Sequence, residues 1–469
     1  MGETIQQRVM FENLFDKPVC VEFSAPDQSC DGGVLLLKGV DEKMGLTERM
    51  SQVLRDNRQP GKVLHPLAEM LRERILGIAC GYPDANDAAR LSKDPAMRMA
   101  CERRGESLAS QPTLSRLENG PTSTDLLRLG YALTDAVIER ERRKRQARRV
   151  RRITIDMDPT EDRTYGEQQL TFFSAFYDNW CYLPMITTIQ FNDEPEHYLV
   201  APVLRPGNAK GSTGARRTAH DLGAVAILKR LLPKLREAFP KAKIFVRMDG
   251  GFAEAPVFTW LEARRLAYVV NMPKNGVLKG LAEPLMPALR ALVRESRRTE
   301  TAFDQARYRA GKWERERRVI IKAEVVALEG RDPRDNPRFV ITNLPWKPKK
   351  VYCFYGLRGD AENRIKELKD GLRFDLTPCP SFRANQFRNL LVAASYALCQ
   401  QLRHEARGTA CERAQVWTLR ERLLKLAVTI RETVRRIWIE APKTYAWLTA
   451  WRTVAVRVGA SLPACGAPP

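Results

Sequence analysis

The spacing of hydrophobic positions changes along the chain. From about residue 46 to 138, apolar residues recur three and four apart. LTERMSQVLRD, HPLAEMLRERILGIACG and TDLLRLGYALTDAVIERERRKRQARR all carry this pattern and predict amphipathic helices. From Ile153 the pattern shortens to β-branched and aromatic runs: ITIDMD, QLTFFSAFYD, YLPMITTIQF and HYLVAPVLR predict strands. A long helix is expected over about residues 218–239, with Pro233 inside it. KIFVRMD then predicts a strand, AEAPVFTWLEARR a helix and LAYVVNMP a further strand. Strands, helix, strand, helix, strand is the order of a mixed sheet with helices packed on it. Residues 273–350 interrupt it with a basic helical piece and the strands RVIIKAEVVAL and PRFVITNL. Three helical stretches follow: YGLRGDAENRIKELK, NQFRNLLVAASYALCQQLRHEA and LRERLLKLAVTIRETVRRIWI. Near the start, VCVEFS and GVLLLKGV read as strands around the turn DQSCDGG, and the tail SLPACGAPP reads as flexible.

Composition narrows what such a chain does. Its 469 residues, 44% of them hydrophobic, suffice for two or three domains and at least one sizeable core. Lys and Arg number 78 against 56 Asp and Glu, a net charge of +22, which suits a polyanionic partner. A membrane surface is disfavoured, because the sequence has no long apolar run, signal peptide or lone basic amphipathic helix. Nucleic acid is the better match. The run 139–152, ERERRKRQARRVRR, is a basic connector placed where it could meet phosphates. SLASQPTLSRLEN reads either as the turn and recognition helix of a helix-turn-helix or as an ordinary helical hairpin.

The ten cysteines form no C-x-x-C pair and read as reduced thiols. The four histidines form no H-x-E or H-E-x-x-H pattern, which weakens zinc-hydrolase and histidine-based nucleophilic chemistry. RPGNAKGSTGA is Gly-rich but lacks the order of a P-loop. Metal chemistry on oxygen ligands stays open.

The candidate oxygen ligands are acids at strand ends. Asp249 closes KIFVRMD, and Gly250 and Gly251 permit a tight turn and a close ligand approach. ITIDMDPTED offers Asp156, Asp158, Glu161 and Asp162, of which Asp156 and Asp158 point to one side of a strand. A third acid lies in YGLRGDAENRIKELK. Taken as one helix, this stretch puts Tyr355, Arg358, Glu362 and Lys369, spaced by four and seven from Glu362, on a single stripe. A solvated helix with i,i+4 ion pairs has the same appearance.

The spacing Tyr355, Arg358, Glu362, Lys369 resembles the Y-x2-R-x3-E-x6-K signature of DDE transposases from bacterial insertion sequences. RMDGGF resembles the R-x-D-x-x-F motif of that group, with Gly250 where Ser is commoner, and Asp158-Pro159-Thr160 matches its D-x-T. The resemblance runs from about Ile153 to Phe387. It implies an α/β, RNase H-like mixed-sheet catalytic core with a β-rich insertion, preceded by a mainly helical DNA-binding region and followed by C-terminal helices. On this sequence that gives 1–150 as the helical region, 151–272 as the first part of the core and 273–350 as the insertion. The helical remainder with the third acid is 351–440, and 441–469 is the tail.

The same resemblance implies Asp158, Asp249 and Glu362 as catalytic metal ligands, with Asp156 as second choice for the first acid. It implies Mg²⁺ or Mn²⁺, two ions, which suits a set of hard carboxylate oxygens. Tyr355, Arg358 and Lys369 would contact DNA. Trp313 and Trp346 could stack on an unpaired base, with core or surface filler the commoner role for either. Implied partners are double-stranded DNA (element ends and target) and a second copy of the chain on that DNA, without a membrane, in the cytoplasm of a bacterium at its nucleoid. The activity implied is cleavage at terminal inverted repeats followed by strand transfer. An inactive, repressor-like relative and a stand-alone RNase H-like nuclease are the alternative readings.

Overall fold

A computed structural model describes residues 8–11, 17–22, 27–103, 105–144, 149–210, 223–311 and 313–461. The tail 462–469, part of the Gly-rich loop (211–215), the first residues of the expected 218–239 helix and 145–148 of the basic run lie outside the described residues. The chain divides into two compact units. One comprises Met44–Asn57 and Arg116–Gln400; the other comprises Arg58–Ser115 with the residues before Met44 and after Gln400.

The larger unit is built on one nine-stranded sheet. Its strands in chain order are β1 (Arg152–Pro159), β2 (Met185–Phe191), β3 (Tyr198–Val203), β4 (Lys243–Met248) and β5 (Ala267–Met272). They continue with β6 (Glu300–Tyr308), β7 (Arg317–Leu328), β8 (Arg331–Asp335) and β9 (Arg338–Thr342). The spatial order is β6-β7-β9-β5-β4-β1-β2-β3, with β8 paired to β7. β1, β2 and β3 form an antiparallel meander, while β4 runs parallel to β1 and β5 parallel to β4. Antiparallel 3-2-1 followed by parallel 4 and 5 is the RNase H-like arrangement. The strands of 273–350 make no separate layer. β9 pairs antiparallel with β5, so they extend the same sheet.

Strand alternation sorts the side chains onto two faces. Ile153, Ile155 and Met157 of β1 and Val246 and Met248 of β4 enter the main core, with Leu228 and Leu231 of helix Ala224–Ala238. On the other face Phe245, Val269 and Val340 pack against Val351 and Phe354 of helix Pro348–Gly356. Asp156, Asp158, Arg247 and Asp249 share this second face by the same alternation. A buried helix, Phe382–Glu405, follows the second face's helices in sequence.

The basic run is partly absorbed by the fold. Arg140 lies over the Tyr198 ring, 4.2 Å from its centroid, and Arg152 pairs with Asp193. Trp313 is buried against Phe258 and Tyr308, and Trp346 packs on Phe245 and Phe354, so both act as core filler here.

In the smaller unit two expectations fail. GVLLLKGV is helical, as part of Val34–Met44, not a strand. Val34, Leu36, Leu37 and Val40 are buried and Leu35 is half-buried, so the short run lacks the alternation that separates the two structures. Gly33, just before it, meets backbone: a Cβ there would lie 1.8 Å from the Leu423 carbonyl oxygen. The stretch 419–439, expected as helix, instead turns after Leu424 into the strands Val428–Glu432 and Ile437–Glu440. Val428, Thr429 and Ile430 are β-branched, and the first strand finds a partner in Gln28–Ser29, remote in sequence.

Candidate active site

The first two acids are brought together by strand register. β1 and β4 pair in parallel through Asp156 opposite Arg247 and Met157 opposite Met248. The next step along both strands is Asp158 and Asp249. Neighbouring strands lie roughly 4.8 Å apart, so the two carboxylates start from adjacent backbones. Asp249 leaves its strand and caps the turn Gly250–Phe252, accepting a hydrogen bond of 2.9 Å from the Gly251 N–H.

The third acid arrives from across the second face. The expected single helix is two. Pro348–Gly356 ends, Leu357 and Arg358 turn the chain, and Gly359–Leu372 begins with Arg358 at its N-cap. Gly356 and Gly359, both weak helix formers, flank the break. Glu362 lies in the first turn of the second helix, where the helix dipole favours a carboxylate.

Arg358 ties the acids. Its Nη2 lies 2.9 Å from Asp158 Oδ1, and its Nη1 pairs with Glu362 Oε1. Burial works against the charge of Arg358, but Asp158, Tyr355 and Glu362 together raise its pKa. Asp158 and Arg358 are largely buried, whereas the Glu362 side chain is 56% exposed and so reaches solvent. Lys369, near the end of the same helix, donates to the Glu161 carbonyl at 2.5 Å, just beyond the first acid. Tyr355 is half-buried, its hydroxyl pushed up to about 12 by burial.

Asp156 has a different setting. It is buried in a two-pronged ion pair with Arg247, at 2.7 and 2.8 Å, with His197 Nδ1 3.2 Å away. Burial alone would push its carboxyl up, but His197 and Arg247 outweigh this and hold it below the usual range.

Two residues that the sequence did not single out stand near the acids. Arg205 is fully buried, donating from Nε to the Leu183 carbonyl and from Nη1 to the Lys210 carbonyl, both at 2.8 Å. Burial holds its pKa down to about 10, with Asp249 and Tyr177 opposing. Tyr177 is pushed up to about 12, by burial first and then by Asp158 and Asp249. Arg205 opens the Gly-rich stretch, and no motif marks it.

Burial first, and like charge after it, shows in the acids themselves. The Asp158 carboxyl is pushed up to about 6 by burial, with Asp249 and Glu362 adding and Arg358 opposing. Asp249 is raised too, by burial first, with Glu362 adding and Arg358 and Arg205 opposing. Among the described residues no three His, Cys, Asp or Glu side chains already stand as a metal-ligand group, and Arg358 occupies the space between Asp158 and Glu362. Three carboxylates drawn to one place are nevertheless a donor set whose chemistry suits a hard divalent cation.

A pH prediction follows. The folded chain holds a proton on Asp158 more tightly than the unfolded chain does. The associated stability is therefore present below the ordinary pKa of 3.8 and lost as pH rises through about 6. Asp158→Asn should remove that loss. Chemical denaturation is expected to find the variant more stable by about 3 kcal/mol at about pH 8, and equal to the parent below about pH 4. A gain of the same size at both ends of the range would contradict the assignment.

Among the described residues no helix is long and apolar enough to cross a membrane. The cryo-EM structure of the piggyBac transposase synaptic complex with hairpin DNA resembles the chain at a TM-score of 0.42 and 9% identity, covering 89% of this chain and 82% of that one. No curated protein matches the sequence. The family described as Transposase DDE domain group 1 matches residues 11–461, nearly the whole chain, and the chain belongs to this family of DDE transposases.

Proposed function

We propose that the chain binds the terminal inverted repeats of its own element, cleaves the DNA there and joins the freed 3′ ends to a target. The observation that carries this reading is the convergence of Asp158 and Asp249 by strand register with Glu362, which Arg358 links to Asp158. In this reading Asp158, Asp249 and Glu362 hold Mg²⁺ or Mn²⁺, probed equally well by either ion. Such ions, when bound, supply charge stabilisation to the attacking and leaving oxygens of an in-line phosphodiester displacement. Water is the first nucleophile and the freed 3′-OH the second, so one site serves both steps.

The chain's own groups prepare that site. The strand register fixes the spacing of Asp158 and Asp249, and the helix start at Arg358 sets Glu362 opposite them. Arg358, free to exchange its carboxylate partners for a phosphate, offers a planar fork suited to two phosphate oxygens. Lys369 and Tyr355 extend the contact along the DNA. The excess of basic residues supplies the sequence-independent part of binding. Joining two element ends requires two active sites, so a homodimer on DNA belongs to the same reading, as does action at the nucleoid of a bacterium.

A DNA substrate carrying one element end, incubated with and without Mg²⁺ or Mn²⁺, tests it. Metal-dependent cleavage at the end and joining to a second DNA are expected, and binding without either step under all metal conditions would overturn the reading. Arg358→Ala should weaken end binding and lower the slope of log affinity against log salt by about 1. An unchanged affinity and slope would remove Arg358 from the DNA contact.

A further inference from the structure

Two residues before each strand-borne acid stands a group of opposite charge to its neighbour across the sheet. Asp156 precedes Asp158, and Arg247 precedes Asp249. They are register partners on β1 and β4. The guanidinium of Arg247 binds both oxygens of Asp156, Nε to Oδ1 at 2.7 Å and Nη2 to Oδ2 at 2.8 Å. Its remaining nitrogen, Nη1, donates to the Phe354 carbonyl at 2.9 Å. Phe354 lies in the last turn of the helix that ends just before Arg358. One buried side chain thus joins the strand of the first acid, the strand of the second and the segment that leads to the third.

Strand pairing does not need this arrangement. β1 and β4 are already joined by their ladder and packed on the main core. A buried ion pair between them carries a desolvation cost that an apolar pair of similar size would avoid. The planar fork, however, can hold three acceptors in fixed directions at once, which a single ammonium cannot match. The contact of Arg247 Nη1 with the Phe354 carbonyl also sits where the chain turns toward Glu362, so a shift there would move Arg358 and Glu362 relative to both strand ends.

We infer that Arg247, held by Asp156, is a positioning residue that sets the three carboxylates of the site relative to one another. The inference rests on the proposed reading of Asp158, Asp249 and Glu362 as metal ligands. It assigns a task to the arginine of the R-x-D motif and explains why Asp156 is paired and closed while Asp158 faces the site. It also makes the Phe354 carbonyl a fixed point of the site.

The test uses the full chain. Arg247→Lys keeps the charge beside Asp156 but loses the three-way hold. The pair Asp156→Leu with Arg247→Met replaces the clamp by apolar groups, a change that preserves folding in comparable buried pairs. For both variants we measure thermal melting, binding to a DNA element end, cleavage rate, and affinity for Mn²⁺ alone by titration without DNA. The expected result is cooperative melting and unchanged end binding, with Mn²⁺ affinity and cleavage each falling about ten- to a hundredfold, the range for lost ligand-orienting partners. Wild-type cleavage and Mn²⁺ affinity in either folded variant would overturn the inference. Failure of the apolar pair to fold would assign the clamp to the fold and overturn it equally. Asp249→Ala separates the two levels. If it still cleaves, the reading of the site is wrong, and if it is inactive while the Arg247 variants cleave normally, only the positioning role falls.

Discussion

Asp249→Ala and Glu362→Ala are expected to abolish cleavage and strand transfer while leaving end binding nearly intact. Each removes a carboxylate but no cation, and the electrostatic attraction for DNA resides in the basic excess of +22. The loss in rate should be at least about a thousandfold, the scale of removing a principal stabiliser of transition-state charge. Asp249 has little freedom to be replaced by a neighbour, because its place is fixed by the register of β4 on β1 and by the Gly251 N–H. Glu362 is the more exposed acid, so its removal should leave the fold unaffected. A gel assay of end cleavage beside a binding titration decides the matter. Cleavage near the parental rate by either variant would sink the assignment of that acid.

Asp156→Ala and Asp158→Ala, two residues apart on one strand, should fail in opposite ways. Removing Asp156 leaves the Arg247 guanidinium buried without its carboxylate, which costs about 3–5 kcal/mol. Removing Asp158 leaves Arg358 with Glu362 and with access to solvent through it, so stability should hold or rise. Activity should vanish in the Asp158 variant with the fold intact. Denaturant midpoints measured beside cleavage rates would separate the two. An Asp156→Ala protein as stable as its parent would mean that the buried pair contributes nothing to the fold.

Much of this architecture was legible in the chain. KIFVRMD and ITIDMD are short β-branched runs bounded by turn formers, and they form β4 and β1 close to their expected limits. Where the pattern was ambiguous the expectation failed. GVLLLKGV has too little alternation to separate a strand from a buried helix, and tertiary burial made it a helix. LAVTIRETVRRIWI has apolar residues at helical spacing but becomes two strands, because Gln28–Ser29 supplies a pairing edge that local periodicity cannot reveal. The single stripe from Tyr355 to Lys369 likewise divides at Gly356 and Gly359 into two helices, and the four residues reach the site by a turn instead of along one helix face.

The sequence by itself determined which residue types the site could use: carboxylates without His or Cys partners, a basic excess for a polyanion, and acids at the ends of strand-like runs. Those properties follow from composition and local pattern, which act over a few residues. Only the tertiary structure decided which carboxylates stand together, because strand register and helix placement join residues about a hundred positions apart. Register put Asp158 beside Asp249 and gave Asp156 to Arg247. The turn at Arg358 brought Glu362 to them, and burial drew Arg205 and Tyr177 close to acids with which they share no motif.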